Sequence, residues 1–139
     1  MIDSLSIGLS WVTLGAMLMF GATVAPTVFA VLEPDAAGKF LRSLFPKMYL
    51  FCGVASGLAS LSYTFSTSTL QAILVGLVSV LFFFSRGPLT RRINEARDEE
   101  LAGVAGAKAR FDTLHKLSVR LFGVQALMLI VSIAYTHVG

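Results

Sequence analysis

The residues best able to do chemistry in this sequence gather around His115. Asp112 and Ser118 stand three positions to either side of it, and on a helix that spacing puts all three on one face. An imidazole between a carboxylate and a hydroxyl could relay protons or ligate a metal or a haem. The plainer reading is an interfacial histidine that caps or packs a loop. His137 could supply a second imidazole, but it lies 22 residues further on. On one helix that is roughly 33 Å, so a bis-histidine haem needs its second ligand from another protomer. His137 alone reads as a solvated C-terminal residue.

Three further sets carry weaker signals. Met48, Tyr49, Cys52 and His115 include soft donors that suit Cu(I). Their spacing matches no metal motif, and a free cysteine is usually a small buried hydrophobe. Arg86, Pro88, Arg91, Arg92 and Asn94 could hold an anion or a lipid phosphate through their guanidinium groups. The same cluster also serves as a topogenic charge. Gln71, Ser79, Gln125 and Ser132 fall inside apolar runs, where they mark hydrogen bonds between helices. No ionisable residue sits in the middle of a run, which argues against an ion-coupled pump working through one protomer. No nucleophile motif is present, so an enzyme using His115 and Asp98 on lipid ranks last. The prediction is of no enzyme and no resident cofactor, with haem or copper as the alternative.

The elements that must position these residues are membrane spans. Of the 139 residues, 55% are hydrophobic and 14% are charged, where a soluble domain carries about 25% charged residues. Four apolar runs predict spans over residues 5–32, 49–65, 70–85 and 117–135, with polar loops over 33–48 and 86–116. The first run is far longer than a signal-peptide core and no basic residue precedes it, so it reads as a retained helix. Pro26 predicts a kink near its inner end. In the first loop Ala37, Phe40, Leu41, Leu44 and Phe45 recur at helical spacing, which predicts a short helix lying in the headgroup region. Pro46 then opens the second span. Gly53 and Gly57 form a GxxxG that lets helix backbones approach closely. Ser66 to Thr69 make a tight uncharged turn. Opposite charges at helical spacing predict a solvated helix from Thr90 to Leu101. Gly103 and Gly106 interrupt it, and a last helix begins near Ala107.

Orientation follows from charge. All eleven Lys and Arg lie between Lys39 and Arg120, in or beside the two polar loops. The positive-inside rule assigns those loops to the cytoplasm and both termini to the other side. Trp11, Tyr63 and Tyr135 then fall near the outer interface and Tyr49 near the inner one. The net charge of +3 is thus topogenic and attracted to anionic head groups; nucleic acid is a poor second account of it. The predicted fold is an all-α, polytopic four-helix bundle, up-down-up-down, N-out and C-out. The predicted partner is the lipid bilayer, and the small size of the bundle, with Gly53 and Gly57, predicts a homo-oligomer.

Several short motifs, taken in order, resemble the transmembrane protein 205-like family. They are Gly21-x-x-x-x-Pro26-x-x-Phe29, Leu44-Phe45-Pro46-x-x-Tyr49, Pro88 with Asn94 and Arg97-Asp98, and Phe111-x-x-Leu114-His115-x-x-Ser118. The likeness spans nearly the whole chain and departs after Ser118, at Val119-Arg120-Leu121. It implies a small four-helix membrane protein with no enzymatic activity. It also implies export or vesicle traffic, since the eukaryotic namesake is associated with resistance to platinum drugs. Its short loop is that of a bacterial version, hence a bacterial inner membrane. The site implied by position is Phe45, Pro46, Tyr49, Arg97, Asp98, Phe111, His115 and Ser118. The expected function is therefore a transport, efflux-related or assembly component with a polar site at its cytoplasmic face. The alternative is a haem- or metal-binding redox protein using His115.

Overall fold

A computed structural model of the chain describes residues 2–66 and 68–136, with side chains from residue 4 onward. His137 lies outside the described residues. Every element among them is helical. Helix α1 (Ile2–Met19) runs through a π-helical turn at Phe20–Val24 into α2 (Ala25–Val31). Proline has no N–H to offer the carbonyl four residues back. Pro26 therefore leaves the Ala22 carbonyl without its usual donor. The backbone absorbs this just upstream, where the Ala25 N–H reaches five residues back to Phe20. The expected kink is thus a π turn ending two residues before Pro26.

Leu32 and Glu33 are extended, as the residue before a proline prefers, and Pro34 opens α3. Helix α3 (Pro34–Phe65) is 32 residues long, roughly 48 Å, and so exceeds a bilayer core of about 30 Å. Here the structure departs from the expected 33–48 loop and separate interfacial helix. Pro46 lies inside α3 instead of opening a new one. The reason is phase. Ala37, Leu41, Met48, Cys52, Ala55 and Ala59 are all buried, and only an unbroken helix keeps them on one stripe. That burial outweighs the one backbone bond lost at Pro46.

Helix α4 (Thr69–Phe84) follows a short connection in which the Ser66 and Ser68 N–H groups both donate to the Tyr63 carbonyl. The turn expected at Ser66–Thr69 includes Thr67, which lies outside the described residues, and Thr69 already belongs to α4. Helix α4 passes through a second π turn, Ser85–Leu89, into the polar helix α5 (Thr90–Leu101). Pro88 lies inside this turn, where its missing N–H leaves the Phe84 carbonyl without its usual donor. The Ser85 carbonyl accepts the Thr90 N–H and also the Thr90 hydroxyl at 2.5 Å. Gly103 and Gly106 take φ of +77° and +78°, a left-handed conformation that glycine alone adopts without strain. They turn the chain into α6 (Ala107–Tyr135).

Helix α3 is the most enclosed of the spans, packed chiefly between α1 and α4. Small residues set the α3–α4 contact. A Cβ on Gly53 would stand 3.2 Å from the Phe83 ring and 3.4 Å from Cβ of Phe82, and one on Gly57 3.1 Å from Oγ of Ser79. Ser79 donates to the Gly53 carbonyl at 2.7 Å and Ser60 to the Ala72 carbonyl at 2.7 Å. Both glycines of the GxxxG are therefore used inside the chain, so they no longer argue for a second copy. Gln71 ties α4 to α6 through the Ser132 carbonyl and the Thr136 hydroxyl. Ser10, Thr13 and Ser56 each donate to the carbonyl four residues back, which satisfies a hydroxyl without a partner helix.

Large apolar side chains cover the outside. Trp11, Leu18, Phe29, Leu61, Val80 and Leu127 are each more than half exposed. Such a surface suits hydrocarbon and would aggregate in water. Among the described residues four helices are long and apolar enough to cross a membrane, which marks a small membrane protein.

Candidate functional site

The charged end of the bundle is where separate segments meet. Three helices each present one face to a common cleft. From α3 come Leu41, Arg42, Phe45 and Tyr49; from α5, Thr90, Ile93, Asn94 and Arg97; from α6, Phe111, His115 and Ser118. The steps of three, four and seven residues within each set are those of a single helix face. Phe29 of α2 completes the lining of a cleft of about 150 Å³.

Aromatic contacts form its inner wall. The rings of Phe20 and Phe45 lie 4.8 Å apart between centroids, Phe45 and Tyr49 5.6 Å, and Tyr49 and Phe82 6.2 Å. On the α6 side the His115 imidazole stacks on Phe111 at 5.7 Å with the planes 9° apart. The Arg97 guanidinium lies 5.3 Å from the centroid of the same Phe111 ring, within cation–π range. One phenyl ring thus orients both a cation and an imidazole.

Ion pairs hold the three segments together. Arg42 of α3 donates to Asp98 of α5 at 2.6 Å, and Arg97 donates to Glu100 at 2.7 Å. Arg110 of α6 pairs with Glu99 of α5. The Arg42–Asp98 pair is well exposed, so it is worth at most about 1 kcal/mol. Its importance is positional, because it closes α5 over the first turns of α3.

Of the eight site residues expected from sequence, Phe45, Tyr49, Arg97, Phe111, His115 and Ser118 line this cleft. Asp98 and Pro46 do not. Asp98 faces a neighbouring cleft with Pro34, Asp35, Lys39 and Arg42, and Pro46 lies within the α3 helix. The expected Asp112–His115–Ser118 arrangement is not connected through side chains. Ser118 donates to the His115 backbone carbonyl at 2.7 Å, and Asp112 pairs with Lys108 at 3.3 Å. The basic set also divides. Asn94 faces the cleft, Arg91 approaches Glu95 at 3.9 Å, and Arg92 lines a separate cleft with Glu95, Glu99 and Arg110.

The soft donors divide in the same way. Cys52 is buried with its Sγ 3.7 Å from Sδ of Met48, and neither lines the His115 cleft. Among the described residues no three His, Cys, Asp or Glu side chains gather as a metal set would. Among the described residues, no other His, Cys, Asp or Glu lines the cleft with His115. Phe29, Leu41, Arg42, Thr90, Ile93 and Asn94 also line the cleft but were not in the site expected from sequence. Arg42 was accessible, since it precedes Phe45 by three and Tyr49 by seven and so shares their helix face.

A second, apolar cleft of about 320 Å³ adjoins the first, lined by Phe20, Gly21, Ala25, Val119 and Phe122. The two share Phe29, Leu41, Phe45, Tyr49, His115 and Ser118. The arrangement offers two guanidiniums and an imidazole at a rim whose lining holds no carboxylate, above an aromatic floor. Chemically that suits recognition of an anion carrying apolar bulk.

No curated protein and no solved structure matches the chain. A family model described as a domain of unknown function (DUF4149) matches residues 8–102. That stretch carries α1 from residue 8 to the end of α5, and with it Arg42, Phe45, Tyr49, Asn94 and Arg97. Phe111, His115 and Ser118 lie beyond it. Since the match covers well over half of the chain, this protein belongs to the DUF4149 family.

Proposed function

We propose that this protein is a non-enzymatic component of transport, efflux or membrane assembly, and that the His115 cleft is its working site. The observation that carries the reading is convergence. In a chain of which only 14% is charged, Arg42, Asn94, Arg97 and His115 come from three separate helices to one cleft. A merely topogenic charge would need no such meeting, because the positive-inside effect counts charges without regard to where their side chains point. Stacking of His115 and Arg97 on one ring also supports a recognition role. The resemblance to the transmembrane protein 205-like family points in the same direction.

The same reading includes an up-down-up-down bundle with both termini outside and both charged regions in the cytoplasm, in a bacterial inner membrane. Its support is the confinement of every Lys and Arg to residues 39–120. Self-association remains part of the proposal on the small size of the bundle alone, because α4 occupies Gly53 and Gly57. The test is a cellular growth or efflux assay comparing wild type with His115→Ala and Arg97→Ala at matched membrane abundance. Loss of the phenotype in both variants supports the reading. Full activity in both refutes it.

A further inference from the structure

The polar cleft and the apolar cleft are one site. They share six residues, and the shared set contains both His115 and the floor residues Leu41, Phe45 and Tyr49. At one end stand Arg42, Asn94 and Arg97. At the other the walls are Phe20, Gly21 and Ala25 on the first helical segment and Val119 and Phe122 on α6. A ligand filling both would carry negative charge at one end and hydrocarbon at the other.

We propose that this joint cleft binds an anionic membrane phospholipid, with its phosphate between Arg42 and Arg97 and part of an acyl chain along Phe29, Phe45 and Phe122. This names the ligand class of the site proposed above and rests on that reading. Charge complementarity selects the head group. Arg42 gives Nη2 to Asp98 and Arg97 gives Nη1 to Glu100, and both carboxylates stay outside the lining of the polar cleft. The pairs therefore fix the guanidiniums in place while each fork keeps further N–H groups for a phosphate. Asn94, beside them on α5, adds an uncharged donor.

The tail arm has its own local cause. The π turn at Phe20–Val24 includes Gly21, whose absent side chain leaves the arm open towards Phe122. A Cβ there would reach 3.5 Å from Cε1 of Phe122, so an alanine fits and a leucine fills the arm. The position of the clefts agrees with the ligand. They lie where the charged helix ends pass into the apolar spans.

The experiment is native mass spectrometry of the full chain released from gentle detergent. It is run with phosphatidylglycerol, with phosphatidylcholine of the same chains, and with phosphatidylglycerol in excess inorganic phosphate. Both lipids carry the phosphate, but phosphatidylcholine also brings a choline ammonium that would stand beside the two guanidiniums and be repelled by them, so wild type should retain phosphatidylglycerol about tenfold or more over phosphatidylcholine. Arg42→Gln with Arg97→Gln should bring that ratio within about twofold, because no guanidinium is left to repel the choline ammonium. Lys39→Gln removes the same sign of charge from the adjacent cleft and should leave the ratio unchanged. Gly21→Leu should weaken retention of phosphatidylglycerol while circular dichroism stays that of wild type. Equal retention of the two lipids overturns the proposal. So does an effect of Lys39→Gln equal to that of the arginine pair, or full displacement by inorganic phosphate, which would mean a free-anion site. Lipid preference intact alongside a normal phenotype for His115→Ala and Arg97→Ala overturns only the transport reading. Equal retention of the two lipids by wild type, alongside a lost phenotype for His115→Ala and Arg97→Ala, overturns only the lipid.

Discussion

Replacing Gly53 by leucine tests the packing that positions the whole charged end. Gly53 is buried where α4 crosses α3, and even one carbon there meets Phe83 at 3.2 and 3.3 Å and Phe82 at 3.4 Å. Phe83 is partly exposed and can give way, but Phe82 is fully buried. Alanine therefore sets a small overlap against the gain from removing a glycine in a helix, up to about 1 kcal/mol, and changes stability little. Leucine adds three more carbons with nowhere to go. Overpacking of this kind costs about 1–3 kcal/mol. Separating the helices also strains the 2.7 Å bond from Ser79 to the Gly53 carbonyl, worth about 1 kcal/mol. The expected loss for Gly53→Leu is about 2–4 kcal/mol. Helicity followed against the mole fraction of sodium dodecyl sulfate in mixed micelles measures it. Gly123→Leu is the control, since a Cβ there meets nothing within 4 Å. Equal stability of Gly53→Leu and Gly123→Leu would refute the reasoning. A change in oligomeric state without loss of stability would mean that Gly53 faces a second copy rather than α4.

Other consequences are smaller and local. A double-mutant cycle on Arg42→Ala and Asp98→Ala should give a coupling of at most about 1 kcal/mol, because the pair is exposed; a coupling of several kcal/mol would show that the contact is buried. Gly106→Ala should destabilise the α5–α6 connection by about 1–2 kcal/mol, from its φ of +78°, and hydrogen exchange at residues 102–107 should rise. Val104 is half exposed and Cys52 is fully buried. A water-soluble maleimide should therefore label Val104→Cys and leave Cys52 unmodified in the folded protein. On the proposed orientation that labelling succeeds only from the cytoplasmic side, and labelling from outside intact cells would reverse the topology.

The sequence was informative wherever one physical rule acted alone. Apolar length marked four helices able to cross a membrane, and the Gly103 and Gly106 signals placed the joint before Ala107. It was less informative where two rules compete. Pro46 signals a helix start, while the stripe from Ala37 through Leu41 to Met48 signals continuity, and only burial against neighbouring helices decides between them. Gly53 and Gly57 signalled close packing, but not against which helix. Around His115 the resemblance brought out six residues that share the cleft. It missed Arg42, whose role depends on Asp98, 56 positions away. Asp98 was chosen for its place beside Arg97; adjacent residues on a helix point in different directions, and it turns to the neighbouring cleft.

The central claim is that α3, α5 and α6 close over a single cleft at the charged end. A crystal structure of the wild-type chain grown from a lipidic mesophase containing phosphatidylglycerol tests it most directly. The expected structure has α3 unbroken through Pro46, with Arg42, Asn94, Arg97 and His115 around one cleft. It also holds elongated density running from between the two guanidiniums towards Phe122. An α3 broken at Pro46, with Arg42 and His115 facing separate regions of lipid, would contradict it.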